Sequence, residues 1–200
     1  MCGILNINDY LQPCEVVDFS EDIKALSSAL KEMSDSGTDY IKSAFEYVRD
    51  NISHSADIKS QAPTTCKASE VLKAKHGICY AKSHLLAALL RYQKIPAAFC
   101  YQRLILCDET APYLILHGLN AVYIQEHKKW IRLDPRGNKP GIDAQFSLEK
   151  EKPAFYPRPE KGEEDIPEFF TNPDKNVVKA LTENKTLLDL WGNLPRECAR

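Results

Sequence analysis

Apolar positions recur at helical spacing through the first half of the chain and switch to β-favouring runs past its midpoint. Over 20–33, Ile23, Ala25, Leu26, Leu30 and Met33 fall near one helical face, and Gly37 is expected to stop that helix. Over 39–51, Tyr40, Ile41, Ala44, Phe45, Tyr47 and Val48 make the apolar side of a second amphipathic helix, with Thr38 as its expected N-cap. SHSADIKSQAPTTCK then reads as loop, and Ser69 is expected to cap a short helix through Val71 and Leu72 that Gly77 ends.

The next pattern, ICYAKSHLLAALLRY from Ile78 or Cys79 to about Tyr92, is apolar on most faces, which predicts a helix in the interior. Lys94, Ile95 and Pro96 end it, and AAFCYQRLIL, LILHGLNAVYI and WIRLDP follow as strands, the last two joined by the polar turn QEHKK. A buried helix followed by an antiparallel meander predicts an α+β fold. Beyond Asp134, eight of the chain's twelve prolines and the lack of any periodic run predict an ordered wrap, closed by a last helix over 176–190.

Composition narrows the function classes. Two hundred residues, 44% hydrophobic and 27% charged, suit one domain, 1–200, with a sizeable core. A formal charge of −2 supplies no basic field for nucleic acid or anionic lipid, so neither is expected as a partner. No apolar run is long enough to span a membrane, and MCGILNINDYLQPCEVVDF lacks the pattern of a secretory leader, so a cytoplasmic protein is expected. Seven cysteines with no CxxC pair argue against a disulfide framework and a zinc ribbon.

One of those cysteines stands apart. A thiol attacks an acyl carbon as thiolate, which a helix N-terminus and a neighbouring histidine favour. Cys79 alone is predicted at a helix start, with Gly77 before it and its own backbone N–H as an oxyanion donor. His117 lies on a predicted strand and Asp134 ends the next, so a hairpin turning near 125–129 is able to set them side by side.

The segments ASEVLKAKHGICYAKSHLLAALLRYQKIPAAFCYQRL and HGLNAVYIQEHKKWIRLDPRGNK resemble the catalytic core of the transglutaminase-like superfamily, which shares its nucleophile helix with papain-like proteases. DYLQPCEVVDF, FEYVRDNISHSADI and DAQFS extend the likeness toward small stand-alone bacterial members. The resemblance implies a core over about 38–140 with a C-terminal extension over 141–200. It also implies nucleophile Cys79, base His117 and orienting acid Asp134, with a peptide or side-chain amide as substrate and hydrolysis or amine transfer as the outcome. The chemistry needs no metal or cofactor. Gly118-Leu119 stands where many members carry Ala-Trp after the histidine, and Arg136 where many carry Thr after Asp-Pro. No strong counterpart of the second oxyanion donor stands out; Gln61 and His54 are the candidates.

Other residues have plainer roles. His84, five positions past Cys79, points to another face and is expected to be packed; His76 is expected in an exposed loop, Trp130 in the core, and Asp57 and Arg136 either order site loops or carry surface charge. Two rival functions remain. Met1-Cys2-Gly3-Ile4 is also how glutamine amidotransferases with an N-terminal cysteine nucleophile begin, and a transglutaminase-like fold also serves as a non-catalytic binding module.

Overall fold

The computed structural model describes residues 6–58 and 61–199. Cys2, and with it the amidotransferase reading, lies outside the described residues. Helix α1 spans Glu21–Glu32, with Ser20 Oγ accepting from the Ile23 N–H at 3.4 Å. Helix α2 spans Gly37–Asn51, so Gly37 opens this helix instead of stopping the one before. Its cap is Ser36, not Thr38, because Ser36 Oγ is the hydroxyl that reaches the Asp39 N–H, at 3.0 Å.

The short helix α3 spans Ala68–Ala74 and also departs from expectation at both ends. Ser69 lies inside its first turn, and the Glu70 carboxylate takes the free N–H groups of Cys66 and Lys67, each at 3.0 Å. Lys75, at φ 59°, closes it in the left-handed conformation usual for a C-terminal cap, donating its N–H to Val71 O. Gly77 instead belongs to a two-residue strand, β2 (His76–Gly77), which pairs in parallel with β1 (Ser53–His54). A Cβ on Gly77 would sit 3.1 Å from Ala81 Cβ, so close packing and not backbone freedom calls for glycine there.

Helix α4 spans Cys79–Tyr92, and every residue from Cys79 to Arg91 is buried, as an all-round apolar pattern requires. Leu85, Leu86, Leu89 and Leu90 are fully enclosed; truncating any one to Ala costs about 2–5 kcal/mol. Two charged side chains in this helix are buried without a carboxylate. Arg91 donates to the backbone carbonyls of Gln12, Ala97 and Thr171, and Lys82 donates to those of Arg49 and Ile52. Each satisfies carbonyls that the end of a helix or strand leaves open, which is why burial is tolerated.

Strands β3 (Ala97–Cys107), β4 (Ala111–Ile124) and β5 (Lys129–Leu133) form the expected antiparallel meander, and β6 (Glu164–Asp165) joins its edge in the order β5-β4-β3-β6. Asn120 Nδ2 ties the sheet to the central helix by donating to Ser83 O and Ala98 O, each at 3.2 Å. The C-terminal part wraps back over this assembly. Its expected single helix is two, α5 (Lys175–Glu183) and α6 (Leu187–Gly192). Thr186 breaks the run by capping Asp189 N, and Asn184 turns its amide back onto Ala180 O. The larger apolar cluster draws on residues from Val16 to Leu194, and a smaller one gathers Tyr10, Ala98, Cys100, Leu119 and Ala121.

Candidate active site

The first residue of α4 is Cys79, whose backbone N–H has no acceptor within the helix. The parallel pairing of β1 with β2 sets His54 beside Gly77, two residues before that cysteine. From the sheet comes His117, in the middle of β4. In the β4–β5 register Asn120 faces Leu133, so the next step puts Asp134 opposite Leu119 and diagonal to His117. Their side chains meet, with His117 Nε2 and Asp134 Oδ2 2.8 Å apart and both groups buried.

The Asp134 carboxylate is held on both oxygens. Oδ2 accepts from the Ala154 N–H at 2.9 Å, and Oδ1 accepts from the Arg136 N–H at 3.1 Å. Burial pushes this carboxyl up, but the charge and hydrogen bond of His117 outweigh it and leave the pKa below the ordinary carboxylate value. Burial likewise disfavours a charged His117 ring. The Asp134 charge, then that of Cys79, together with hydrogen bonds to both side chains, overcome this and raise its pKa. With Nε2 on Asp134, Nδ1 is the ring nitrogen left for Cys79. Phe155 stands edge-on to the imidazole, with ring centroids 5.2 Å apart.

His54 is in a different state. The Ala56 N–H donates to its Nδ1 at 3.1 Å, so the proton of the neutral ring sits on Nε2. Burial, then the charges of Arg136 and Lys82, hold its pKa well below the ordinary imidazole value. His54, Cys79 and His117 all line one cavity of about 620 Å³. Gln61, the other oxyanion candidate, is exposed and does not line it.

His84 is buried with Nδ1 2.8 Å from Cys66 O, away from the cavity. His76 is half-buried beside Ser55 Oγ and Trp130 packs edge-on against Tyr10, Tyr123 and Phe169; neither lines the cavity. Arg136 does line it, and pairs with Asp57 at 3.0 Å, while Lys139 holds the other Asp57 oxygen at 2.6 Å. These two pairs order the loop after β1 against the loop after β5. Gly118 has its own reason: a Cβ there would meet the Tyr80 ring at 2.8 Å. Ala154 and Phe155, from the segment that showed no periodicity, were not anticipated at the site. Cys107 also lines the cavity and is exposed; hydrogen bonds from the Thr110 side chain and from nearby backbone groups lower its thiol pKa.

Residues 24–135 match the model of the transglutaminase-like superfamily, more than half of the chain, and the chain belongs to that superfamily. No curated protein matches it. Among solved structures, one of a proposed cysteine protease from Cytophaga hutchinsonii is 18% identical at a TM-score of 0.49, covering 66% of this chain and 43% of that one. The periplasmic domain of TgpA from Pseudomonas aeruginosa is 16% identical at a TM-score of 0.47, covering 66% and 48%. The chain thus spans less than half the length of either. The expectation of a cytoplasmic protein is not upheld: the second of these similar structures is a periplasmic domain. Among the described residues, no helix is long and apolar enough to cross a membrane.

Proposed function

We propose that this protein is a cysteine-dependent acyl-transfer enzyme acting on amide bonds, with Cys79 as nucleophile, His117 as general base and acid, and Asp134 as the group that orients His117. The observation that carries this reading is that the first residue of α4 and an imidazole bonded to a buried carboxylate at 2.8 Å line the same cavity. A thiol, a base and an orienting acid in that order are what activation of a nucleophile requires.

Cys79 Sγ, as thiolate beside the His117 imidazolium, attacks the carbonyl carbon. The oxygen takes the negative charge, and two N–H groups stabilise it: the Cys79 backbone amide and His54 Nε2. A neutral histidine serves well here, since it donates without competing for a proton. The C–N bond then breaks as His117 gives its proton to the departing amine, leaving a thioester on Cys79 and a neutral His117. A second nucleophile, water or an amine, loses its proton to His117 as it attacks the thioester, and the Cys79 thiolate leaves. Hydrolysis and transamidation share every residue of this sequence.

Mass spectrometry of the enzyme quenched during turnover of a peptide library tests the assignment. An acyl adduct on the peptide bearing Cys79, absent in Cys79→Ser, is expected. The Cys107→Ser background removes the other thiol in the cavity. An adduct on Cys2, with Cys79→Ser retaining activity, would replace this proposal with the amidotransferase reading; no adduct with any acyl donor favours a binding module.

A further inference from the structure

We infer that the segment after the family core makes this site selective for uncharged acyl groups carrying a bulky apolar side chain; this rests on the function proposed above. The family match ends at residue 135, yet much of the cavity wall comes from beyond it. Phe155, Trp191 and Leu194 face the cavity from the C-terminal segment, and Leu104, Leu106 and Ile115 from the β3–β4 hairpin. Leu104 and Ile115 are directly opposite in the register, and Ile115 lies two residues from His117 on the same strand face. The apolar wall therefore begins next to the reacting groups and continues into the volume beside them.

Charge points the same way. Apart from the reacting Cys79 and His117, the charged side chains among the described lining residues are Asp108, Arg136, Arg158 and Glu163. Each has a partner within the protein. Arg136 is paired with Asp57, and Arg158 bridges Asp108 at 2.6 Å and Glu163 at 2.5 Å. Glu163 also accepts from the Ile105 and Arg158 N–H groups, at 3.1 and 2.8 Å, which pins the C-terminal segment to the edge of β3. A charged substrate side chain entering the cavity would lose water and meet no free counter-charge, whereas an apolar one gains burial. A volume of about 620 Å³ is far more than the slim side chain of alanine fills.

The test uses N-acetyl aminoacyl 4-nitrophenyl esters of Phe, Leu, Ala, Asp and Lys, whose activated leaving group reports acylation without knowledge of the natural substrate. We expect kcat/KM for the Phe and Leu esters to exceed that for Ala roughly 10-fold or more, with Asp and Lys below Ala. In Leu106→Trp, which fills the cavity from a half-buried position, the ratio of Phe to Ala rates should fall toward one. Equal rates across the wild-type series, or an Asp or Lys ester fastest, overturn the selectivity while a Cys79-dependent nitrophenol burst upholds the enzyme assignment. Absence of that burst with every ester, including Phe and Leu, overturns both.

Discussion

Ala154 donates its backbone N–H to Asp134 Oδ2 at 2.9 Å, so a segment far outside the helix-and-hairpin core helps hold the carboxylate bonded to His117. Together with the Arg136 N–H and the His117 ring, three donors converge on one acceptor. Asn at this position keeps the shape but turns an NH₂ donor either toward the Arg136 N–H or toward both the Ala154 N–H and the His117 ring. If the amide faces the ring, His117 must take the opposite tautomer and lose the base facing Cys79. Asp134→Asn should therefore lower kcat by a factor on the order of 10²–10⁴, with the protein still folded by circular dichroism.

For His54, the neutral ring and the proton on Nε2 make two predictions separable from a general loss of fold. His54→Ala should lower kcat about 10²–10³-fold with little change in KM, because in the proposed mechanism the lost bond forms with the oxyanion and not with the ground-state carbonyl. The ring also accepts the Ala56 N–H, so some destabilisation accompanies it. A matched rise in KM at constant kcat in steady-state kinetics would show that His54 binds substrate instead.

Lys82 lies one turn into α4 and donates to Arg49 O at 3.2 Å and to Ile52 O, the carbonyls that end α2. Burial, then the Arg136 charge, lowers its pKa to about 7. Lys82→Met fills much of the same volume but leaves those carbonyls without a donor. Chemical denaturation should register a loss of about 1–3 kcal/mol. Because Ile52 is two residues from His54, kcat should fall as well; retention of full activity in Lys82→Met would separate the α2 end from the site.

Acid stability should carry the signature of His84. Burial lowers its pKa to about 4, against 6.5 for the free imidazole, and the hydrogen bond to Cys66 O only partly offsets this. A histidine with a depressed folded pKa contributes fully above the unfolded value and loses that contribution as pH falls toward the folded one. The difference amounts to about 3 kcal/mol, lost between about pH 6.5 and 4. Denaturant midpoints measured across that window should fall less steeply in His84→Gln than in the parent, whatever the absolute stability of the variant.

The chain announces α4 and the β3–β4–β5 meander in its own pattern, because burial on all sides and alternation on a sheet leave marks at every position. Helix ends were less legible. Ser36 and Thr38 are both residue types that cap helices, and the position of the hydroxyl relative to the Asp39 N–H separates them. Likewise, nothing local distinguishes a Gly77 that ends a helix from one squeezed between Ala81 and Thr65.

Sequence alone singled out Cys79 by its predicted helix start and showed that a hairpin permits His117 and Asp134 to meet, while their joining to Cys79 was what the family resemblance implied. Tertiary structure decided what surrounds them. It separated His54 from Gln61 through a parallel pairing of two-residue strands, too short to leave a periodic signal. It brought Ala154, Phe155, Trp191 and Leu194 to the cavity through contacts with residues far away in the chain. Those contacts depend on how an aperiodic, proline-rich segment closes over the sheet, and that path is set by packing and by ion pairs such as Arg158–Glu163, not by any local preference.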